Sequence, residues 1–121
     1  MRLAAVFAGL VAVLPLQAAA DTVLWMAEEH GCMWCARWNA EIAPIYPKTA
    51  EGKTAPLMRY DVHAETPDIE LERSVHFTPT FILVDDGREV GRIEGYPGED
   101  FFWGLLGMMF ERANIPLDTT G

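Results

Sequence analysis

The chain has 121 residues, half of them apolar, with 18 acidic and 9 basic side chains and a formal charge of −9. That length suits one domain and leaves little room for a second, and the apolar fraction excludes intrinsic disorder. The acidic balance argues against a nucleic-acid partner, whose phosphate contacts need clustered Lys and Arg, and against a basic membrane-surface segment.

Residues 1–20 read as a secretory signal. Met1-Arg2 is a short positive start, an uncharged apolar run extends from Leu3 to about Leu14, Pro15 breaks it, and Ala18-Ala19-Ala20 sets small residues ahead of Asp21. These are the three parts of a cleavable signal, cut after Ala20. The apolar run falls short of the roughly 20 residues of a comfortable membrane span. An uncleaved anchor or a buried N-terminal helix are the alternatives. The domain proper, 21–121, is then exported. The bacterial look of the signal points to the periplasm, where disulfides persist.

The first predicted strand is Val23-Leu24-Trp25-Met26, an apolar run. A loop over residues 27–31 follows, then a helix from Cys32, with Trp34, Trp38, Ile42 and Ile45 at three- and four-residue steps and Pro44 and Pro47 ending it. Cys32-Met33-Trp34-Cys35 holds the chain's two cysteines. As a staple the pair gains little: the loop-entropy model gives about 2 kcal/mol for so short a loop, against about 4.7 for a hundred-residue one. A zinc ribbon needs a second ligand pair, and His30, His63 and His76 match no usual zinc spacing. Haem attachment needs His where Ala36 stands. A redox dithiol remains. Unpaired amides and the positive dipole at a helix start stabilise a thiolate. Cys32, at the exposed end, is therefore the expected nucleophile, and Cys35, one turn deeper, the resolving thiol.

Residues 48–54 read as a polar connector and 56–62 as a second strand. The acidic stretch 66–73 is compatible with a short helix capped by Thr66 or Asp68. Thr80-Phe81-Ile82-Leu83-Val84 is the strongest strand, apolar on both faces. Asp85-Asp86-Gly87-Arg88 reads as a hairpin turn, and residues 89–95 alternate polar and apolar as a half-exposed strand does. Residues 99–113 form a final helix with Phe102, Leu105, Leu106 and Met109 on one face. Its apolar content predicts core packing or a partner or dimer patch, and Gly104 and Gly107 hint at close packing. Trp25 and Trp38 are expected in the core.

The order is an α/β one: a four-stranded mixed sheet flanked by helices, with the C-x-x-C pair at the start of the first helix. The pair after a strand, Thr78-Pro79-Thr80 leading into the third strand, and the Asp86-Gly87 hairpin with Gly95 closing the next strand resemble the thioredoxin superfamily over essentially the whole of 21–121. The resemblance implies that Pro79 is cis before the third strand and lies against the redox pair. It also implies that the backbone of Thr78 pairs with an extended client segment, a form of strand addition. Trp34 either shapes that client groove or simply packs. Cys-Met-Trp-Cys-Ala-Arg-Trp-Asn, with Ile-Ala-Pro-Ile-Tyr-Pro after it, is most similar to small periplasmic thioredoxin-like proteins of bacterial sulfur-oxidation systems. That group implies thiol–disulfide exchange on a client protein with a reactive or oxidised cysteine, such as a sulfur carrier. It also implies a membrane thiol-electron transporter as donor and no cofactor.

Two departures stand out. Gly31 and Met33-Trp34 replace the usual Trp and Gly-Pro around the cysteines, and Met26 stands where thioredoxin carries a buried Asp. Glu28, Glu29 and His30 are the nearby groups available for proton transfer or thiol tuning: a carboxylate raises a thiol's pKa and a protonated His lowers it. The acids are otherwise expected to be solvated in the loop. Two alternatives stay open. One is a disulfide oxidant or isomerase using the same residues. The other is a non-catalytic Cu(I) module in which Cys32, Cys35 and Met33, with Met26 and His30 nearby, act as soft ligands.

Overall fold

The structure, a computed structural model, describes residues 3–13 and 21–120. Residues 3–13 are exposed and form neither helix nor strand. Residues 14–20, with the expected cleavage position after Ala20, lie outside the described residues. No described helix is long and apolar enough to cross a membrane.

Four strands make one sheet: β1 (Thr22–Glu28), β2 (Leu57–Asp61), β3 (Thr80–Asp85) and β4 (Arg88–Glu94), in the order β2-β1-β3-β4. β1 pairs with β2 in parallel and with β3 antiparallel, and β3–β4 is an antiparallel hairpin. β3 is central and buried along almost its full length, as its apolar run on both faces requires. The hairpin turn falls on Asp86 and Gly87, both with positive φ, the conformation a two-residue turn needs.

Helix α1 (Met33–Glu41) and helix α3 (Glu99–Arg112) pack on one sheet face. There Trp38 meets Phe81 at 4.9 Å and Phe102 at 5.8 Å between ring centroids, and Phe81, Leu83, Leu24 and Ile93 complete the layer. Each such side chain contributes roughly 1.5–3 kcal/mol by leaving water. Trp38 is fully buried as expected, whereas Trp25 is half-buried on the other face, edge-on to Tyr60 at 6.0 Å. On α3, Phe110 is buried and Leu105 partly exposed, which turns the expected apolar face by a fraction of a turn. Nothing lies within 4 Å of where a Cβ on Gly104 or Gly107 would stand, so no described residue of the chain packs closely there.

Two segments differ from expectation. Residues 48–54 are not a plain connector: a single 3-10 turn (Tyr46–Lys48) runs into helix α2 (Ala50–Thr54). Thr49 caps α2 by accepting the Gly52 N–H at 3.0 Å. Gly52 is required there, since a Cβ would sit 1.8 Å from the Tyr46 carbonyl oxygen. Residues 66–73 form no helix. Pro67, Ile69 and Leu71 are half-buried and Asp68, Glu70 and Glu72 are exposed, the period of an extended chain. Glu70 bonds the hairpin instead, its N–H to Gly87 and its carbonyl to the Glu89 N–H.

The polar positions of β4 are not all outside either. Leu83 pairs with Gly91 and Val84 with Glu89, so Val90 is an extra residue in the ladder. The bulge places Glu89 beside Val84 and Arg92 beside Ile82 on the face away from α1. Glu89 is 2% exposed. The connector between β2 and β3 covers this face in place of a helix.

Candidate active site

The redox pair lies where β1 feeds α1. Gly31, with φ at 78°, turns the chain in the left-handed region that other residues resist. Cys32 is the N-cap of α1, in extended backbone, and its sulfur accepts the Cys35 N–H at 3.1 Å. Met33 is thus the first helical residue, one later than the sequence predicts. The Cys32 N–H in turn donates to the Glu29 carbonyl at 3.3 Å. Cys32 and Cys35 are joined as a disulfide. Cys32 is partly exposed and Cys35 is 3% exposed within the core. A sulfur at this cap, when reduced, faces helix-start amides that favour its anion.

The side chains between the cysteines face outward. Met33 is 75% exposed and Trp34 48% exposed, with the Arg37 guanidinium 5.6 Å from the Trp34 ring centre. Trp34 therefore stands at the surface and not in the core.

The Thr78–Pro79 peptide bond is cis, as expected. The Pro79 carbonyl accepts the Gly95 N–H at 2.7 Å, which ties the bend to the end of β4. The β1–β3 ladder ends at Ala27 opposite Thr80. Carried two residues further, that register sets Glu29 opposite Thr78, and the Thr78 hydroxyl donates to Glu29 Oε1 at 2.7 Å. The proline bend and the redox loop thus share one end of the sheet.

The three groups expected to tune the thiols are placed differently from one another. Glu28 closes β1 and pairs with Arg59, Nη1 to Oε2 at 2.7 Å, so it is not a loop acid. Glu29 is held by Thr78 and by His63, whose Nε2 lies 2.8 Å from Oε2. The Thr78 hydroxyl first, and His63 second, hold the Glu29 carboxyl below the usual carboxylate range. His30 is exposed.

All three line a cleft of about 520 Å³ beside the cysteines, which Cys32, Cys35 and Arg59 also line. Arg59 is the residue sequence reasoning missed. It pairs in register with Met26, brings Nη1 to 3.3 Å from Met26 Sδ, and lies 5.7 Å from the Trp38 ring centre. Its sequence signal was weak: it is the lone basic residue of β2, and only the parallel pairing of β2 with β1 brings it beside the redox motif. A guanidinium against the Met26 sulfur opposes a metal cation at that position. Among the described residues no cluster of three or more His, Cys, Asp or Glu side chains is arranged to hold a metal.

No protein-family model matches the chain, and no curated protein matches it. Among solved structures, the periplasmic thioredoxin SoxS from Paracoccus pantotrophus, in its reduced form, is similar at 51% identity with a TM-score of 0.74. The match covers 77% of this chain and 99% of that one. Taken with the C-x-x-C pair at a helix start and the cis proline at the same sheet end, this similarity means that the chain belongs to the thioredoxin superfamily, among the small periplasmic thiol–disulfide oxidoreductases.

Proposed function

We propose that the protein reduces disulfides or mixed disulfides on an exported client, with a sulfur-carrier protein as the expected substrate. The observation that carries this reading is Cys32, a partly exposed residue whose sulfur is hydrogen-bonded by the Cys35 amide at the start of α1. In the reduced protein the Cys32 thiolate attacks one sulfur of the client disulfide. A Cys32–client bond forms and the other client sulfur leaves as a thiolate. Cys35 loses its proton and attacks Cys32 Sγ, which closes the Cys32–Cys35 disulfide and frees the reduced client. Two electrons have then passed from the pair to the client. A membrane thiol-electron transporter returns them through the same exchange in reverse.

In this reading the backbone of Thr78, held beside cis Pro79, pairs with the extended client, and Trp34 forms one wall of its groove. Glu28 with Arg59, and His30, set the charge in the cleft where Cys35 gives up its proton. The chain reaches the periplasm by a signal cut after Ala20, and mass spectrometry of the exported protein should give Asp21 as its first residue.

The test is a trap. Cys35→Ser, expressed in the native host, retains the mixed disulfide on Cys32, and the attached protein is identified. A sulfur carrier bound through its reactive cysteine supports the reading. A catch dominated by newly exported proteins with several cysteines points to the oxidant or isomerase instead.

A further inference from the structure

Three active-site segments converge on one residue, Glu29, two of them on its carboxylate. The Glu29 carbonyl accepts the Cys32 N–H at 3.3 Å. Its Oε1 accepts the Thr78 hydroxyl at 2.7 Å, and His63 Nε2, from the loop after β2, lies 2.8 Å from its Oε2. His63 is itself steadied, its N–H donating to Asp61 Oδ1 at 2.7 Å. The contact to Thr78 joins residues 49 apart in sequence, just past the last rung of the β1–β3 ladder.

We propose that Glu29 is a positioning residue for client binding: it fixes the Thr78 edge against the redox loop, so that a client strand laid on Thr78 brings its disulfide to Cys32. This rests on the reading of Thr78 as the client edge. The Glu29 and His63 side chains are 35% and 76% exposed, and polar contacts so exposed contribute little to global stability. What the contact supplies is local order. It ties up the Thr78 hydroxyl, leaving the Thr78 backbone as the group offered to a client. An edge ordered before binding spares the client the cost of ordering it. The Glu29 carboxylate bonds Thr78 and His63 and not the reacting sulfurs, so its effect belongs in KM and not in kcat.

The experiment is a double-mutant cycle on the full chain, with insulin as the disulfide substrate and dithiothreitol as reductant. Glu29→Ala and Thr78→Val should each raise KM about fivefold, the worth of one hydrogen bond, with kcat unchanged. The double variant should be no worse than either single one. Glu29→Gln, which keeps an acceptor for the Thr78 hydroxyl, should restore most of the loss. Additive effects, or a fall in kcat alone, would overturn the proposal. Pro79→Ala separates the two levels. If it raises KM while Glu29→Ala does not, the edge stands and the positioning role fails. If neither changes KM, the edge itself is wrong and the proposal falls with it.

Discussion

Glu89 and Arg92 form a two-pronged ion pair on the sheet face away from the redox helix, Nε to Oε2 at 2.7 Å and Nη2 to Oε1 at 2.6 Å, with both side chains almost fully buried. The pair also holds the connector. Arg92 donates to the Arg73 carbonyl at 2.8 Å and the Ser74 carbonyl at 3.2 Å, and Glu89 accepts the Glu72 N–H at 3.2 Å. That connector leads directly into Thr78 and Pro79. Removing one partner leaves the other charge buried and unpaired. Arg92→Met should therefore cost about 3 kcal/mol in urea unfolding, and Glu89→Leu with Arg92→Met should cost less than Arg92→Met alone.

The same pair sets an acid limit. Burial pushes the Glu89 carboxyl up, but the Arg92 hydrogen bonds and the Glu72 amide outweigh it, and the carboxyl titrates below its ordinary 4.5. Its contribution is fully present above that ordinary value and is lost as pH falls through the lower folded value. The urea midpoint of the wild type should therefore exceed that of Glu89→Gln at pH 6, and the gap should narrow as pH approaches 3.

Two glycines should respond in opposite directions to alanine. Gly52→Ala drives a Cβ into the Tyr46 carbonyl oxygen, on the segment whose tyrosine hydroxyl donates to the Ala55 carbonyl at 2.6 Å. It should lower stability by about 2 kcal/mol or more. Gly104→Ala, in open space on α3, should raise stability by about 0.5–1 kcal/mol. Thermal melts of the two variants check both signs.

Arg59 should tune the thiols. Its guanidinium lines the cysteine cleft and neutralises Glu28. Arg59→Gln leaves the Glu28 carboxylate unbalanced there, so the thiolate becomes harder to form. The pH profile of alkylation of the reduced protein should move up by roughly half a pH unit or more.

The parts legible in the sequence are those fixed by neighbours in the chain. Cys32 at a helix start, the Asp86-Gly87 turn and the β3 run depend on spacing and local conformation, and the structure agrees with each. The rest depended on distant partners. The acids of residues 66–73 suit a helix locally, but Glu70 and Glu72 bond the hairpin and its buried Glu89, which holds the chain extended. Glu89 reads as a surface residue until the bulge at Val90 and the cation at Arg92 are known. Glu29 reads as a solvated loop acid because its Thr78 partner is 49 residues away. The cis proline was legible only through family resemblance, since no local rule marks it.

In the proposed mechanism Cys32 is the accessible, amide-stabilised nucleophile and Cys35 the buried second thiol. The fully reduced protein, treated at pH 7 with less than one equivalent of iodoacetamide and mapped by peptide mass spectrometry, tests it directly. Label on Cys32 in large excess over Cys35, reacting faster than free cysteine at the same pH, is the expected result. Preferential label on Cys35, or a Cys32 no more reactive than an ordinary thiol, would overturn that assignment.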